Sequence, residues 1–484
     1  MSATHIVWFR NDLRVADHAA LAAAVAGAEA EGGAVLPVFV LDEADGWAPG
    51  GASRWWLHHS LRTLAADLGK RGAPLVLRRG RALDLIPRLA AEAKATAVHV
   101  GAAAEPASRR IDRALAEALP RQGTALRRHR TTMLFNPDKV RTQSGGPYGV
   151  YTPFSRACFA LGPPEPFPAP ARIPGAAPPQ SDRLEDWALP PGGPGSREPD
   201  WAGGLRETWT PGAAGAEARL AAFLKDGLAR YGDRRNLPGI ASTSALSPHI
   251  HFGEISGPTV WHAAVAAAGN AGKGLETFLK ELLWREFSIH LLWHNPALPD
   301  APLRPEFARM PWREDRAALR AWQRGQTGVP IVDAGMRQLW RTGWMHNRVR
   351  MIVASFLAKH LLIPWQEGER WFWDTLVDAD LAANSASWQW VAGSGADAAP
   401  YFRIFNPVLQ GTKFDADGAY VRRFVPELAK LDAAHLHVPW EAPEAALRAA
   451  GVVLGQTYPH PIVDLAEGRR RALAAYEAIR GEAA

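Results

Sequence analysis

Four short segments carry side chains whose types and spacing could do chemistry. In the first, Phe278, Glu281, Trp284 and Arg285 recur at i, i+3, i+6 and i+7, which is one face of a helix. Glu and Arg are costly to bury bare among aromatics. That face is therefore either an ion pair beside core rings or one wall of a pocket for a polar aromatic ligand. In the second, Gly343-Trp-Met-His-Asn-Arg-Val-Arg-Met351 puts Trp344, Asn347, Arg350 and Met351 on a shared face. An Asn amide meets both donor and acceptor edges of a heterocycle. Arg341 and Arg348 point elsewhere, toward phosphates or simply toward water. In the third, Asp378-Ala379-Asp380-Leu-Ala-Ala-Asn384 sets two carboxylates and an amide at a loop and helix start, where one Asp could equally serve as a cap. Trp388 and Trp390 follow, aimed in different directions. In the fourth, Thr243-Ser244-Ala245-Leu246-Ser247 precedes Pro248. Hydroxyls and amides at a turn-to-helix boundary form a nest suited to a diphosphate, although Ser-Pro is also an ordinary helix start.

His249-Ile-His251 could be a metal pair, but no third ligand of matching spacing follows, so no metal is expected. The chain has no G-x-x-x-x-G-K-[ST] loop, no H-E-x-x-H and no G-x-S-x-G, and strand one is not followed by G-x-G-x-x-G.

These segments need elements to hold them. Ile6–Phe9, Val35–Leu41, Pro74–Leu77 and Ala97–Val100 read as buried strands, separated by helices over 16–30, 54–70 and 83–94. That alternation implies βαβ units and a parallel sheet. Residues 162–204 contain twelve Pro and seven Gly in 43 positions and read as a connector. Helix signals dominate from about 216 onward, over 216–231, 258–268, 276–293, 316–324, 332–342 and 347–360. The resulting partition is an α/β domain over 1–135, a connector over 136–205 and an all-α domain over 206–484.

The 484 residues are 47% hydrophobic and 21% charged, which excludes disorder of the whole chain. No apolar run is long enough to span a membrane, and the N-terminus lacks the basic start of a secretory signal. The single cysteine, Cys158, excludes an intrachain disulfide and a Cys-based zinc site, and suits a reducing, cytoplasmic setting. A net charge of +6 permits nucleic-acid binding without requiring it. Eleven of the 20 Trp lie between Trp284 and Trp390. They are either a helical core or rings that stack on bases and carry electrons.

In order along the chain, these segments resemble the cryptochrome/photolyase family. The resemblance runs from Val7-Trp-Phe-Arg-Asn-Asp-Leu-Arg14 to Tyr458-Pro-His-Pro-Ile-Val463. Its most specific stretch runs from Trp388-Gln-Trp390 through Asp397-Ala-Ala-Pro-Tyr-Phe-Arg-Ile-Phe-Asn-Pro407. It implies a Rossmann-like antenna domain, a long connector and a helical domain holding FAD in a folded form. The implied reaction is light-driven DNA repair. Excited reduced FAD gives an electron to a flipped-out cyclobutane pyrimidine dimer, the ring splits, and the electron returns. That would make the chain a carbon–carbon lyase, a deoxyribodipyrimidine photo-lyase acting on UV-damaged duplex DNA, with no obligate protein partner.

By the same resemblance, Tyr231, Thr243, Ser244, Ala245, Leu246, Ser247, Phe278, Arg285, Trp344, Asn347, Arg350, Asp378, Ala379, Asp380 and Asn384 would hold the flavin. Thr243–Ser247 would take the diphosphate, Arg350 and Asp378 would pair beside the isoalloxazine ring, and Asn384 would face its N5. Trp284 and Trp390 would sandwich the lesion, Glu281 would hydrogen-bond it, and Asn347 and Met351 would lie nearby. Trp388, Trp365 and Trp312 would pass electrons from the surface, and Arg235, Arg348, Arg403 and Gln410 would contact DNA.

Asn384, Glu281 and Trp390 are the repair choices within the family, and Met345-His-Asn347 lacks the paired His typical of six-four enzymes. The short stretch after the last motif also leaves no room for a cryptochrome tail. These details favour a class I cyclobutane-dimer enzyme over a flavin-binding blue-light receptor without repair. Folate-binding members carry Asn-Glu where this chain has Ala107-Ser108. The second chromophore is accordingly left open between a folate, a deazaflavin, a flavin and none.

Overall fold

All six residues of β1 (Thr4–Phe9) are buried. A strand covered on both faces reads as a continuous run rather than an alternation, which marks a parallel sheet clad by helices. β2 (Ala34–Leu41), β3 (Val76–Arg79), β4 (Ala95–Gly101) and β5 (Ala125–His129) complete it in the order β3-β2-β1-β4-β5. Every pairing is parallel, with Ile6 opposite Leu36 and Val98. The expected α/β domain with a parallel sheet is therefore present. β5 is the strand that sequence reading missed. Its Ala-Leu-Arg-Arg-His is short, charged and half-exposed at the sheet edge, so no apolar run announces it.

The computed structural model describes residues 3–193, 195–270, 272–397 and 402–481. Ala398 to Tyr401, part of the most specific family stretch, lie outside the described residues. The chain forms two units. The first comprises Met1–Ala229, Ser244–Pro296 and Val377–Ala382; the second comprises Arg230–Thr243, Ala297–Leu376 and Ala383–Ala484.

In the first unit, helices α1 (Ala19–Glu31), α2 (Gly51–Lys70), α3 (Ala82–Glu92) and α4 (Pro106–Ala118) connect the strands. Ile86 and Leu89 of α3 and Ile111 and Leu115 of α4 share one apolar cluster with Ile6, Trp8, Val98 and Val100 of the sheet. Arg14, in the loop after β1, is a buried clamp. Its guanidinium donates to the carbonyls of Asp17, Thr131 (2.7 Å) and Gly253 (3.0 Å). Gly253 has φ +66 and a Cβ there would lie 2.2 Å from the Asn11 carbonyl oxygen, so the close approach needs glycine.

The Pro/Gly-rich stretch makes no core of its own, as its composition predicts, but it is not free. The Val35 amide donates to Pro174 O at 2.7 Å, the Ala176 amide to Val35 O at 2.9 Å, and the Leu77 amide to Ser181 Oγ at 2.9 Å. It runs as extended chain along the sheet. Before it, α5 (Tyr151–Leu161) packs on the long α7 (Gly272–His294), and α6 (Ser247–His251) lies between them in sequence.

The second unit is helical. Its elements are α8 (Pro330–Thr342), α9 (Asn347–Ser355), α10 (Trp365–Thr375), most of α11 (Leu381–Ala392) and α12 (Leu465–Gly481). The helix expected over 347–360 ends early, and Phe356–His360 is a π-helical turn. Buried Asp333 of α8 accepts from the Thr327 and Gly328 amides and from the Tyr458 hydroxyl at 2.7 Å. That bond ties the Tyr458-Pro-His-Pro motif to the helical core. Among the described residues no helix is long and apolar enough to cross a membrane.

Candidate active site

In the first unit, the Thr243–Ser247 segment turns sharply into α6. Ala245 has φ +49, a left-handed conformation that costs a residue with a Cβ about 1 kcal/mol. The Leu246 amide meets Ser244 Oγ at 3.4 Å, Leu246 is buried, and Ser247 stays exposed. A turn with a left-handed alanine is more than a simple Ser-Pro start. His249 Nδ1 sits 2.5 Å from Glu254 Oε2. Among the described residues no three His, Cys, Asp or Glu side chains cluster as ligands.

α7 is the wall that its spacing predicts. Most of it between Leu282 and Leu292 is buried, but Glu281, Trp284 and Arg285 remain partly open. Phe278 is buried against Phe223, with ring centres 4.6 Å apart. The Trp284 indole lies flat on Tyr151, centroids 3.6 Å apart and planes 5° off parallel, while the Tyr151 hydroxyl donates to Lys280 O at 2.7 Å. Tyr151 thus fixes one face of Trp284 before any ligand arrives. Sequence reading missed it, because it lies on α5, far from the motif.

Arg285 is held from three sides. It donates to Thr132 O at 3.0 Å and stands 3.3 Å from Glu286 Oε1 and 3.5 Å from Asp380 Oδ2. Burial pushes the Glu286 carboxyl up to about 7, against Arg285 and the Leu134 and Phe135 amides that favour its charge. Asp380 also lies 3.9 Å from His251 Nδ1. The Asp380 amide donates to Asp378 O at 2.7 Å, and Ala379 between them is buried. The first unit therefore brings together Arg285 and Asp380, two of the expected flavin contacts.

In the second unit, His346 caps α9 by accepting from the Arg348 amide at 3.2 Å. Burial holds its imidazole down at about 4, so it is neutral. The cap leaves Trp344, Asn347, Arg348, Arg350 and Met351 accessible while Val349, Ile352 and Val353 go inward. Arg350 donates to Met345 O at 2.8 Å and lies over the Trp344 ring at 5.9 Å. Arg348 donates to Asn236 at 2.9 Å and lies over Phe414 at 4.5 Å; Arg235 lies over the Tyr231 ring. Arg235 and Arg348 are close enough that Arg235, after burial, lowers the affinity of Arg348 for its proton. Two cations held together suit a shared polyanion.

Asn384 on α11 donates from Nδ2 to Glu369 O at 3.0 Å, and its Oδ1 accepts from no described residue. Glu369 is buried and accepts from Ser385 Oγ at 2.5 Å; burial pushes its carboxyl up to about 8. Trp388 is buried against Phe372 (5.0 Å) and Trp322 (6.2 Å). Trp365 is buried at the start of α10, and Trp312 is half-buried beside Phe307, Leu362 and Phe402. Trp390, whose Nε1–H donates to Asp397 O at 3.2 Å, shares a pocket with Arg304, Lys359 and Arg403. Gln410 lies half-buried at 407–414, a short helix away from that pocket's lining. In the second unit, the open stripe of α9 and the Asn384 acceptor suit a planar heterocycle such as a flavin.

Comparison with known proteins agrees with this chemistry. A family profile described as the FAD binding domain of DNA photolyase matches residues 278–478, and one described as DNA photolyase matches residues 5–171. The deoxyribodipyrimidine photo-lyase of Agrobacterium fabrum is 50% identical over 98% of both chains. Cryptochrome-1 of Arabidopsis thaliana is 38% identical over 96% of this chain and 69% of its own length. The crystal structure of a bacterial class III photolyase from Agrobacterium tumefaciens matches with a TM-score of 0.94, at 49% identity, covering 99% of this chain and 98% of that one. The chain belongs to the photolyase/cryptochrome family, and its helical part is a photolyase FAD-binding domain.

Proposed function

We propose that this protein is a light-dependent DNA repair enzyme, a deoxyribodipyrimidine photo-lyase that splits cyclobutane pyrimidine dimers in duplex DNA. The expectation of class I is not carried forward. The 0.94 structural match is to a class III photolyase, and class III is the assignment we propose. The observation that carries the reading is the α7 wall: an indole preset by Tyr151, with Glu281 one turn before it, both partly open beside a run of buried residues.

When bound, FAD supplies light-driven one-electron chemistry. The chain's residues do the rest. Thr243–Ser247 would take the diphosphate, and Arg285, Asp378, Asp380, Trp344, Asn347 and Arg350 would be the ring-system contacts. Asn384, whose amide Nδ2 donates to the Glu369 carbonyl, would face the flavin N5. Trp284 and Trp390 offer flat apolar faces to a lesion flipped from the stack. Glu281 would hydrogen-bond the dimer, and Met351 would lie nearby. Arg235, Arg348, Arg403 and Gln410 hold the strand. Trp388, Trp365 and Trp312 are the route for reducing the cofactor.

The test uses two defined duplexes, one with a cyclobutane dimer and one with a six-four product, and the purified reduced holoprotein under blue light. Restoration of the cyclobutane lesion alone is expected. Restoration of the six-four product alone, or of neither, would overturn the proposal.

A further inference from the structure

One edge of the first unit gathers arginines that have no carboxylate partner among the described residues. Between Glu105 and Arg130 stand seven arginines against three carboxylates, which leaves +4 in a chain whose total is +6. Asp112 is buried and engaged by Arg10, and Glu105 is only partly exposed, so Glu117 is the one exposed carboxylate of the three. Arg110, Arg113, Arg121, Arg127, Arg128 and Arg130 are all exposed, and none has a carboxylate partner among the described residues.

The fold gathers these side chains. β5 is the edge strand, hydrogen-bonded on one side only, to β4. Its register sets Arg128 opposite Val100, whose side chain belongs to the cluster under α3 and α4. Arg128 therefore rises on the face that α4 covers, where Arg110 and Arg113 stand. Arg109 confirms the crowding. It lies 4.1 Å over Trp293, and after burial it is Arg113 and Arg128, as like charges, that make it a weaker base. One or two charges suffice to keep an edge strand from pairing with another chain. Here the charge spreads beyond the strand onto a helix and the following loop. Unpaired guanidiniums at this density are matched by a regular polyanion, because each can grip a phosphate with two parallel hydrogen bonds. Residues two apart on a strand are about 6.6 Å apart, and each DNA strand carries one phosphate per about 3.4 Å of helix axis, so both present charge at a regular short repeat. No exposed large apolar or aromatic residue lies between Glu105 and Arg130. That argues against base stacking on single strands and against a protein anchor.

We propose that the arginine edge formed by β5 and α4 binds the phosphate backbone of intact duplex DNA, apart from the lesion pocket. It would retain the enzyme on undamaged DNA between lesions. The proposal does not depend on which lesion is repaired.

The experiment measures anisotropy of a labelled, unirradiated duplex with the full-length holoprotein in darkness, across a salt series. The variant is Arg110→Ser/Arg113→Ser/Arg128→Ser/Arg130→Ser. The control removes the same charge from exposed positions elsewhere on the unit, as Arg156→Ser/Arg172→Ser/Arg183→Ser/Arg197→Ser. Bound FAD and unchanged repair yield at saturating lesion confirm that both fold. The variant should lose more than tenfold in affinity at low salt. Its slope of log affinity against log salt should shrink by about 2 to 4, at roughly 0.9 per phosphate lost. The control should keep its slope. Equal slopes in variant and control would overturn the proposal. So would unchanged duplex binding with loss of binding to a single-stranded RNA or an acidic peptide. A protein that binds intact duplex through this edge but repairs neither lesion would separate this inference from the repair reading.

Discussion

Glu369 shows how much a residue outside the motifs can matter. Its carbonyl fixes the Asn384 amide and its buried carboxyl is pushed up to about 8. A carboxyl whose folded value is raised binds more protons folded than unfolded. Its contribution to stability is complete below about 4.5 and is lost as pH rises through about 8. The swing is on the order of 5 kcal/mol. Glu369→Gln, which keeps the shape and the acceptor for Ser385, should flatten the stability curve over that window and gain most at its alkaline end. Urea denaturation at several pH values measures this, and parallel curves for both proteins would contradict it. No sequence pattern flagged Glu369, because burial and the carbonyl contact are properties of packing. Asn384, Glu281 and Trp284 were singled out by type and spacing, and their roles were expected from the family resemblance. Tyr151, which fixes Trp284, was not, because the stack joins residues 133 positions apart.

At the scale of elements, α10 and α11 depend on one glycine. A Cβ on Gly368 would lie 2.0 Å from the Trp388 ring, well inside contact distance. Gly368→Ala must displace that indole or part the helices, an overpacking that costs about 1–3 kcal/mol. We expect a lower melting temperature together with slower photoreduction of the oxidised holoprotein, read by flavin absorbance under steady light with a thiol. Repair by protein reduced beforehand should survive. Normal photoreduction despite the lowered stability would remove Trp388 from the electron route. The strands β1, β2 and β4 and the amphipathic helices were readable because their periods are strong. β5 and the π-turn at Phe356–His360 were not, since a charged edge strand carries no apolar period and a π-turn shares its pattern with the α-helix it interrupts.

At the scale of the whole molecule, composition gave the setting and left the chemistry open. A modest charge of +6 is uninformative as a total, and that β5 places its arginines at a sheet edge is known only from the strand order. The Pro/Gly-rich stretch was readable as non-core, but its pairing with β2 required the register. The central claim is photorepair, and one measurement tests it most directly. Ultraviolet-irradiated oligothymidine is mixed with the purified, reduced holoprotein and followed by thymine absorbance under blue light and in darkness. The account predicts recovery in the light and none in the dark. No recovery in the light, with reduced FAD bound, would contradict it and leave a flavin-binding photoreceptor in its place.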